Sequence, residues 1–350
     1  MAESIVAVPG IEVGQAEDTT ALTGCTVILT TAGATCGVDV RGSAPGTRET
    51  DLLSPINMVQ QVHAILLSGG SAYGLDAATG VMRYLEERGI GLNVGVGVVP
   101  IVPGAVLFDL ALGSATVRPD AAMGYLAATR ANREAVAEGN AGAGCGASVG
   151  KFTGLRSAMK SGIGTAARRL DNGLVVGAIV AVNAVGEVRD VRNNTVIAGA
   201  RGPDGQLLCS DDWLLAATAG TAGAAAAVGA DASGTARGDG ATRTATAAGA
   251  VLPGTNTTIG VVASNAIFSK AQATKVAQMA HDGLARTIHP VHTMHDGDTI
   301  FALATGDAGA GVQASVDIVG ALSAIVLAEA VVRAVRAAKS AGGLPGLAGA

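Results

Sequence analysis

The sequence predicts an α/β fold, and three observations carry that prediction. Short apolar runs punctuated by glycine alternate with segments of helical periodicity. Apolar residues make up 49% of the chain but aromatics only 2%, and there are 51 glycines, so the core must be built from Ala, Val, Leu and Ile in layers whose backbones approach closely. The 350 residues suffice for a sizeable core and read as one domain.

Within residues 1–110, CTVILTT, GVDVRG, AILLSGG and LNVGVGVVPIV read as strands, as does PGAVLFDLALG after them. Between them, GLDAATGVMRYLEERGIG sets Leu75, Ala78, Val81, Met82 and Leu85 at helical spacing and ends on glycine, which predicts a helix. A second helix is expected from Tyr125 to Glu138, and AGAGCGASVGKF after it reads as a loop or as a strand with close backbone approach. GLVVGAIVAVNAVGEV, from Gly173 to Val188, is a strand or a strand pair in which the polar Asn183 stands among apolar neighbours.

Residues 216–250 are almost wholly Ala, Gly and Thr, which bury little per ordered residue, so a mobile loop is expected there, with a helix through the alanines as the alternative. TTIGVVASN reads as a strand. SKAQATKVAQMAHDGLARTI puts Ala273, Val276, Ala277, Ala280 and Leu284 on one helical face, and DTIFALATG is a further strand. The segment from Val312 to Val335 is the most apolar, but Asp317 and Glu329 leave only residues 318–328 uncharged, short of the roughly 18 that suggest a membrane span. A core helix is expected instead.

A net charge of −5 without a basic stripe gives no footprint for nucleic acid or for an anionic membrane surface. The opening MAESIVAVPGIEVG lacks the cationic and long apolar regions of a secretory signal, so a cytoplasmic protein is expected. Cys25, Cys36, Cys145 and Cys209 are scattered singly and read as buried reduced thiols.

Three motifs invite chemistry. GAGCGASVGKF is glycine-rich and ends in Gly150-Lys151, yet Cys145 and Phe152 stand where a Walker loop needs glycine and a hydroxyl, so Lys151 on its own reads as a solvated surface lysine. GGSAYGL carries Tyr73 where a nucleophile elbow needs its closing glycine, which leaves Ser71 as part of a glycine-rich helix start. HPVHTMHDGD offers His289, His292, His295, Asp296 and Asp298, five possible metal ligands, but with Pro290 in the segment and no known zinc spacing. Ordinary loop histidines and an Asp-Gly turn are the competing account.

The chain resembles the self-processing amidohydrolases that include the L-aminopeptidase/D-esterases, the β-peptidyl aminopeptidases and, most closely, the nylon-oligomer (6-aminohexanoate oligomer) hydrolases. GTNTTI at 254–259, HDGDTIFA at 295–302, VAVNAVGEV at 180–188, ASVGK at 147–151, GGSAYGLDAATGV at 69–81 and PGTRETDLL at 45–53 carry the resemblance. It implies a four-layer αββα sandwich with the architecture of the N-terminal-nucleophile (Ntn) hydrolases but different connectivity. It also implies self-cleavage between Asn256 and Thr257, giving a large fragment 1–256 and a small fragment 257–350 headed by the nucleophile Thr257.

The chemistry suits the residue: a threonine hydroxyl needs a base, and a freed α-amine, with a pKa of roughly 7.7 to 8.0, can be that base at neutral pH. By the same resemblance Asn183 is the oxyanion donor, Lys151 tunes the amine and proton traffic, and Asp296 and Asp298 hold the Thr257 amine and hydroxyl. The substrate would be a small peptide or an oligoamide, with no cofactor or metal, and the assembly a homo-oligomer, dimer or tetramer. Phe108 stands where the nylon-hydrolase branch has tyrosine, which bears on substrate preference. Two alternatives remain at this stage: a metal-dependent hydrolase built on the His289/His292/His295/Asp296/Asp298 cluster, and an unprocessed, non-catalytic binding homologue.

Overall fold

A computed structural model of the chain describes residues 3–134, 136–218, 256–306, 309 and 311–349. It opens with the antiparallel pair β1 (Glu12–Asp18) and β2 (Thr23–Val40), then β3 (Gly46–Arg48) and β4 (Val62–Ser68). Helix α1 (Ala77–Glu86), a small hairpin of β5 (Leu92–Asn93) and β6 (Val98–Val99), β7 (Gly104–Val106) and helix α2 (Ala121–Thr129) follow. Next come β8 (Ser148–Val149), β9 (Met159–Lys160), β10 (Ile163–Arg169), β11 (Val175–Asn183), β12 (Glu187–Arg189), β13 (Val196–Ala198) and helix α3 (Ser210–Thr218). The chain then runs through β14 (Thr257–Ser264), α4 (Lys270–Ala285), β15 (Ile288–His289), β16 (Thr299–Ala304) and α5 (Val316–Arg336).

Nine strands form one mixed sheet in the order β10-β11-β14-β16-β2-β4-β7-β3, with β1 also on β2. β14 and β16 are parallel, as are β4 and β7, and the other pairings are antiparallel. The long strand β2 serves both halves. Its first part pairs with β4 and its second with β16, with a break in register between Leu29 and Ala34.

The layers follow from the period of two along each strand. Ile28, Ile65 and Leu67 of one half-sheet share a buried cluster with Ile179, Ile259, Val261 and Phe301 of the other, so the two halves face each other. Outward-facing Val176, Val180, Val262 and Ile300 pack under α4 and α5, while Val27, Leu29 and Leu66 pack under α1 and α2. The result is the expected αββα order of layers, and strands buried on both faces explain why the sequence shows continuous apolar runs.

Helix α4 buries all five residues of its expected face and opens with a capping box between Ser269 and Gln272. α5 lies on α4, β10 and β11 as a core helix. Between α1 and α2 the backbones touch: a Cβ on Gly80 would lie 1.8 Å from the Ala121 carbonyl oxygen, and one on Gly124 would lie 1.9 Å from that of Ala77.

Several expectations are corrected. CTVILTT and GVDVRG belong to the single strand β2, and only Gly104–Val106 of GAVLFDL is strand. The helix expected from Tyr125 to Glu138 instead starts at Ala121, where Asp120 Oδ1 accepts the Met123 N–H at 2.9 Å, and ends at Thr129. Beyond it Asn132 pairs with Val13 of β1, which draws the chain out of helix. Cys25, Cys36 and Cys145 are buried free thiols as expected, whereas Cys209 is half-buried, its sulfur 3.4 Å from Arg189 Nη2. Of the expected mobile loop 216–250, residues 216–218 close α3 and residues 219–250 lie outside the described residues.

Candidate active site

Strand direction decides which residues meet. Because β14 runs antiparallel to β11 and parallel to β16, the end of β11 and the starts of β14 and β16 come together at one edge of the sheet. Asn183, last in β11, is therefore directly across from Thr257, first in β14. Asn256 bridges in parallel to Asp296, just ahead of β16. Asn183, Asn256, Thr257, Asp296 and Asp298 are all nearly inaccessible, and Lys151, which follows β8, is buried beside them.

The geometry described is that of the uncut chain, with Asn256 and Thr257 joined. The Thr257 hydroxyl lies against the Asn256 carbonyl, donating to its oxygen. The same oxygen accepts the Gly297 N–H at 3.1 Å. Gly297 has to be glycine: a Cβ there would come 2.6 Å from the Ala44 carbonyl oxygen and 2.8 Å from Thr257 Oγ1.

Asn183 is fixed on both sides of its amide. Oδ1 accepts from Lys151 Nζ at 2.8 Å and from the Ser148 N–H at 3.1 Å, while Nδ2 donates to the Phe108 carbonyl at 2.8 Å. Two donors on one atom and an acceptor opposite the other settle which end carries the NH2 group. Among the described residues one of its two hydrogens is committed, to Phe108.

Lys151 is the clearest correction to the sequence taken motif by motif, because it is no surface lysine. Burial pushes its pKa down from the usual range to about 7, against the upward pull of Asp296 and Asp109. A second lysine, Lys160, is also fully buried and held at about 7 by burial, its Nζ donating to the carbonyls of Ala147 at 2.7 Å and Ser161 at 2.6 Å.

The two aspartates have different partners. Asp298 Oδ1 accepts the Thr258 N–H at 2.6 Å, and Oδ2 accepts from His292 at Nδ1 (2.8 Å) and at the backbone N–H (3.1 Å). Asp296 Oδ2 accepts from the Thr293 hydroxyl at 2.6 Å and its N–H at 3.0 Å. Its Oδ1 is buried without a partner among the described residues. Burial first, and then the neighbouring Asp298 charge, raise the Asp296 pKa to about 6. Among the described residues of the uncut chain neither carboxylate hydrogen-bonds Thr257 itself, and Asp298 bonds the next residue, at the Thr258 N–H.

The five possible metal ligands do not converge. Among the described residues no group of three or more His, Cys, Asp or Glu is placed to hold a metal ion. His292 is turned onto Asp298 and Asp296 onto Thr293, while His289 belongs to β15, its carbonyl taken by the Ser210 hydroxyl at 3.0 Å. Sequence reasoning missed the Gly297 N–H, Thr293 and Ser148, all of which act through the backbone or through short local bonds. It weighed His292 as a metal ligand or an ordinary loop histidine, without its partner Asp298. Ser71, set aside as a nucleophile, sits at the start of a 3-10 turn.

Comparison with known proteins gives this geometry a context. Residues 3–348 match the sequence profile of Peptidase family S58. An uncharacterized aminopeptidase of Mycobacterium leprae is 44% identical over 340 residues, covering 92% of this chain and 84% of its own. A 6-aminohexanoate-oligomer endohydrolase of Agromyces sp. is 33% identical over 302 residues, 85% of this chain and 74% of its own. The solved L-aminopeptidase D-Ala-esterase/amidase of Ochrobactrum anthropi, described as a new variant among the Ntn hydrolase fold, superposes with a TM-score of 0.66. That superposition covers 98% of this chain and 88% of the other at 18% identity, and it establishes the fold.

Proposed function

Because the chain belongs to peptidase family S58 and is thus a hydrolase of peptide or other linear amide bonds, we propose that it activates itself by cutting between Asn256 and Thr257. Thr257 then serves as the amino-terminal nucleophile of fragment 257–350. One observation carries this reading: the Thr257 hydroxyl is already seated on the carbonyl that precedes it, and that carbonyl's oxygen is gripped by the Gly297 N–H.

In the first stage Thr257 Oγ attacks the Asn256 carbonyl carbon as its proton passes to a nearby base, and the oxygen that gains charge keeps the Gly297 N–H. The C–N bond breaks, the amine takes a proton, and the acyl group rests on Oγ as an ester. Water opens the ester, freeing the Asn256 carboxylate and the Thr257 α-amine. Lys151, held near neutrality, is the base suited to that first proton transfer.

In the second stage the freed amine takes the proton of its own hydroxyl as Oγ attacks a substrate amide. The remaining N–H of Asn183, and the Gly297 N–H vacated by Asn256, face the developing oxyanion. Removing one such donor typically costs about 2.7 to 4 kcal/mol of transition-state stabilisation. Asp296, one buried oxygen of which has no partner among the described residues, receives the new ammonium, and Asp298 fixes the start of β14. The leaving amine departs, and water releases the acid from Thr257.

The substrate is a small peptide or an oligoamide, supported by relatives named as an aminopeptidase and as a hydrolase of 6-aminohexanoate oligomers. Denaturing electrophoresis with mass analysis tests the proposal. Two fragments are expected, the smaller beginning TTIGVV, and Thr257→Ala should remain one chain without amidase activity. A wild-type protein that stays full length after ageing at neutral pH would falsify the proposal and leave a non-catalytic homologue in its place.

A further inference from the structure

We infer that His292 is a positioning residue, which orients the nucleophile through Asp298. The inference rests on the assignment of Thr257 as nucleophile. Asp298 is a buried carboxylate whose two oxygens face opposite duties, Oδ1 on the Thr258 N–H and Oδ2 on His292. Thr258 follows the nucleophile, so a rotation of the Asp298 carboxylate moves the first peptide unit of β14 and the Thr257 side chain with it.

His292 fixes that carboxylate with two bonds from one residue, its Nδ1 and its own N–H. Since a carboxylate only accepts, Nδ1 carries the hydrogen. To present both donors His292 adopts φ 59°, a left-handed conformation uncommon outside glycine, in which Asn, Asp and His are the enriched exceptions. Its ring is held in turn by the His281 ring, edge to face with centroids 4.8 Å apart. His281, on α4, is fixed by Nε2 donating to the Asp39 carbonyl at 3.0 Å. A chain of contacts thus runs from α4 and β2 through two histidines and one aspartate to the residue after the scissile bond. No metal ligation is needed to account for His292.

Variants at position 292 separate this role from a merely structural one. His292→Gly accepts the left-handed backbone and removes the Nδ1 donor. His292→Asn also suits that backbone and places an amide N–H where Nδ1 stood. The glycine variant should cut itself about 10- to 100-fold more slowly than wild type and lose a similar factor in kcat with little change in KM, the scale expected for a small misplacement of a reacting group. The asparagine variant should recover most of both rates.

A glycine variant that processes and turns over like wild type, or an asparagine variant as slow as glycine, overturns the inference. Should the glycine variant fail to fold, His292→Asp is isosteric with asparagine and offers an acceptor in place of the donor. Activity in Asn and its loss in Asp supports the role, and equal activity overturns it. Wild-type cleavage in the same experiment reports on the nucleophile assignment separately, since a wild-type chain that never cuts removes the assignment rather than the role of His292.

Discussion

Lys151 directs its Nζ at both oxygens of Asn183, 2.9 Å from the backbone carbonyl and 2.8 Å from the side-chain Oδ1. A buried cation is thereby spent on orienting a neutral amide, whose NH2 end is turned towards Phe108 and away from the lysine. The proton on Lys151 and the aim of Asn183 are coupled, because a neutral amine has one donor fewer for the two oxygens.

The first prediction concerns pH. Lys151 at about 7 is largely neutral above that value, and only the neutral amine accepts a proton. The rate of precursor disappearance should therefore rise as pH increases through about 7 and then level off. Lys151→Arg, charged throughout, should abolish the rise together with most of the rate. A flat wild-type profile from pH 6 to 9 counts against Lys151 as the base.

Stability should respond to pH in the same region. An unfolded lysine titrates near 10.5, so between about 7 and 10.5 the unfolded chain holds a proton that the folded chain does not. The cost of burying Lys151 is thus fully present below about 7 and is relieved as pH climbs through that window. Lys160 adds a contribution of the same sign. Chemical denaturation of Lys151→Met at several pH values should show a smaller gain between pH 7 and 10 than wild type, and an equal gain would contradict the burial.

Asn183→Ala removes the amide proposed as oxyanion donor and leaves the Phe108 carbonyl, Ser148 N–H and Lys151 each with one partner fewer. Turnover should fall about 10²- to 10³-fold through loss of the donor. Stability should drop by about 1–3 kcal/mol for the bonds these buried groups lose. Single-turnover kinetics alongside a denaturation midpoint distinguishes the two effects.

Gly297→Ala pushes a methyl group into the Ala44 carbonyl and the Thr257 hydroxyl. The hydroxyl is displaced from the carbonyl it should attack, so self-cleavage should slow strongly. Time courses of fragment appearance check this, and unimpaired cutting would show that the close approach is not required.

Gly124→Ala, far from the site, drives a Cβ into the Ala77 carbonyl and forces α1 and α2 apart. The expected result is a loss of about 1–3 kcal/mol in stability, as for other overpacked contacts. The cleavage pattern should be unchanged, and thermal melting with electrophoresis on the same sample reads both.

Much of this architecture was legible. The face of α4 follows from helical periodicity, the strand ending at Asn183 from a continuous apolar run that is buried on both faces, and the core helix α5 from an apolar segment that charges keep too short for a span. The continuity of β2 was hidden by polar and glycine residues at its midpoint, where the strand passes from one half-sheet to the other. The end of α2 was set by Asn132 pairing with β1, a contact distant in sequence. Around the site, Asn183 stood out as a polar residue among apolar neighbours, while the roles expected of Thr257, Asn183, Lys151, Asp296 and Asp298 came from the resemblance rather than from their local motifs. The Gly297 N–H could not be read from a side chain, and His292 revealed its partner only through a left-handed backbone that sequence does not display.

The central position of β14 has a mechanical consequence. It lies between β11 and β16, hydrogen-bonded on both edges, with α4 and α5 continuing from the same piece of chain. Severing the link ahead of it would leave two polypeptides interlocked like the halves of a clasp, since pulling them apart means tearing the middle of a sheet. A broken backbone and an undivided molecule would coexist, the halves migrating together on a native column and parting only in denaturant.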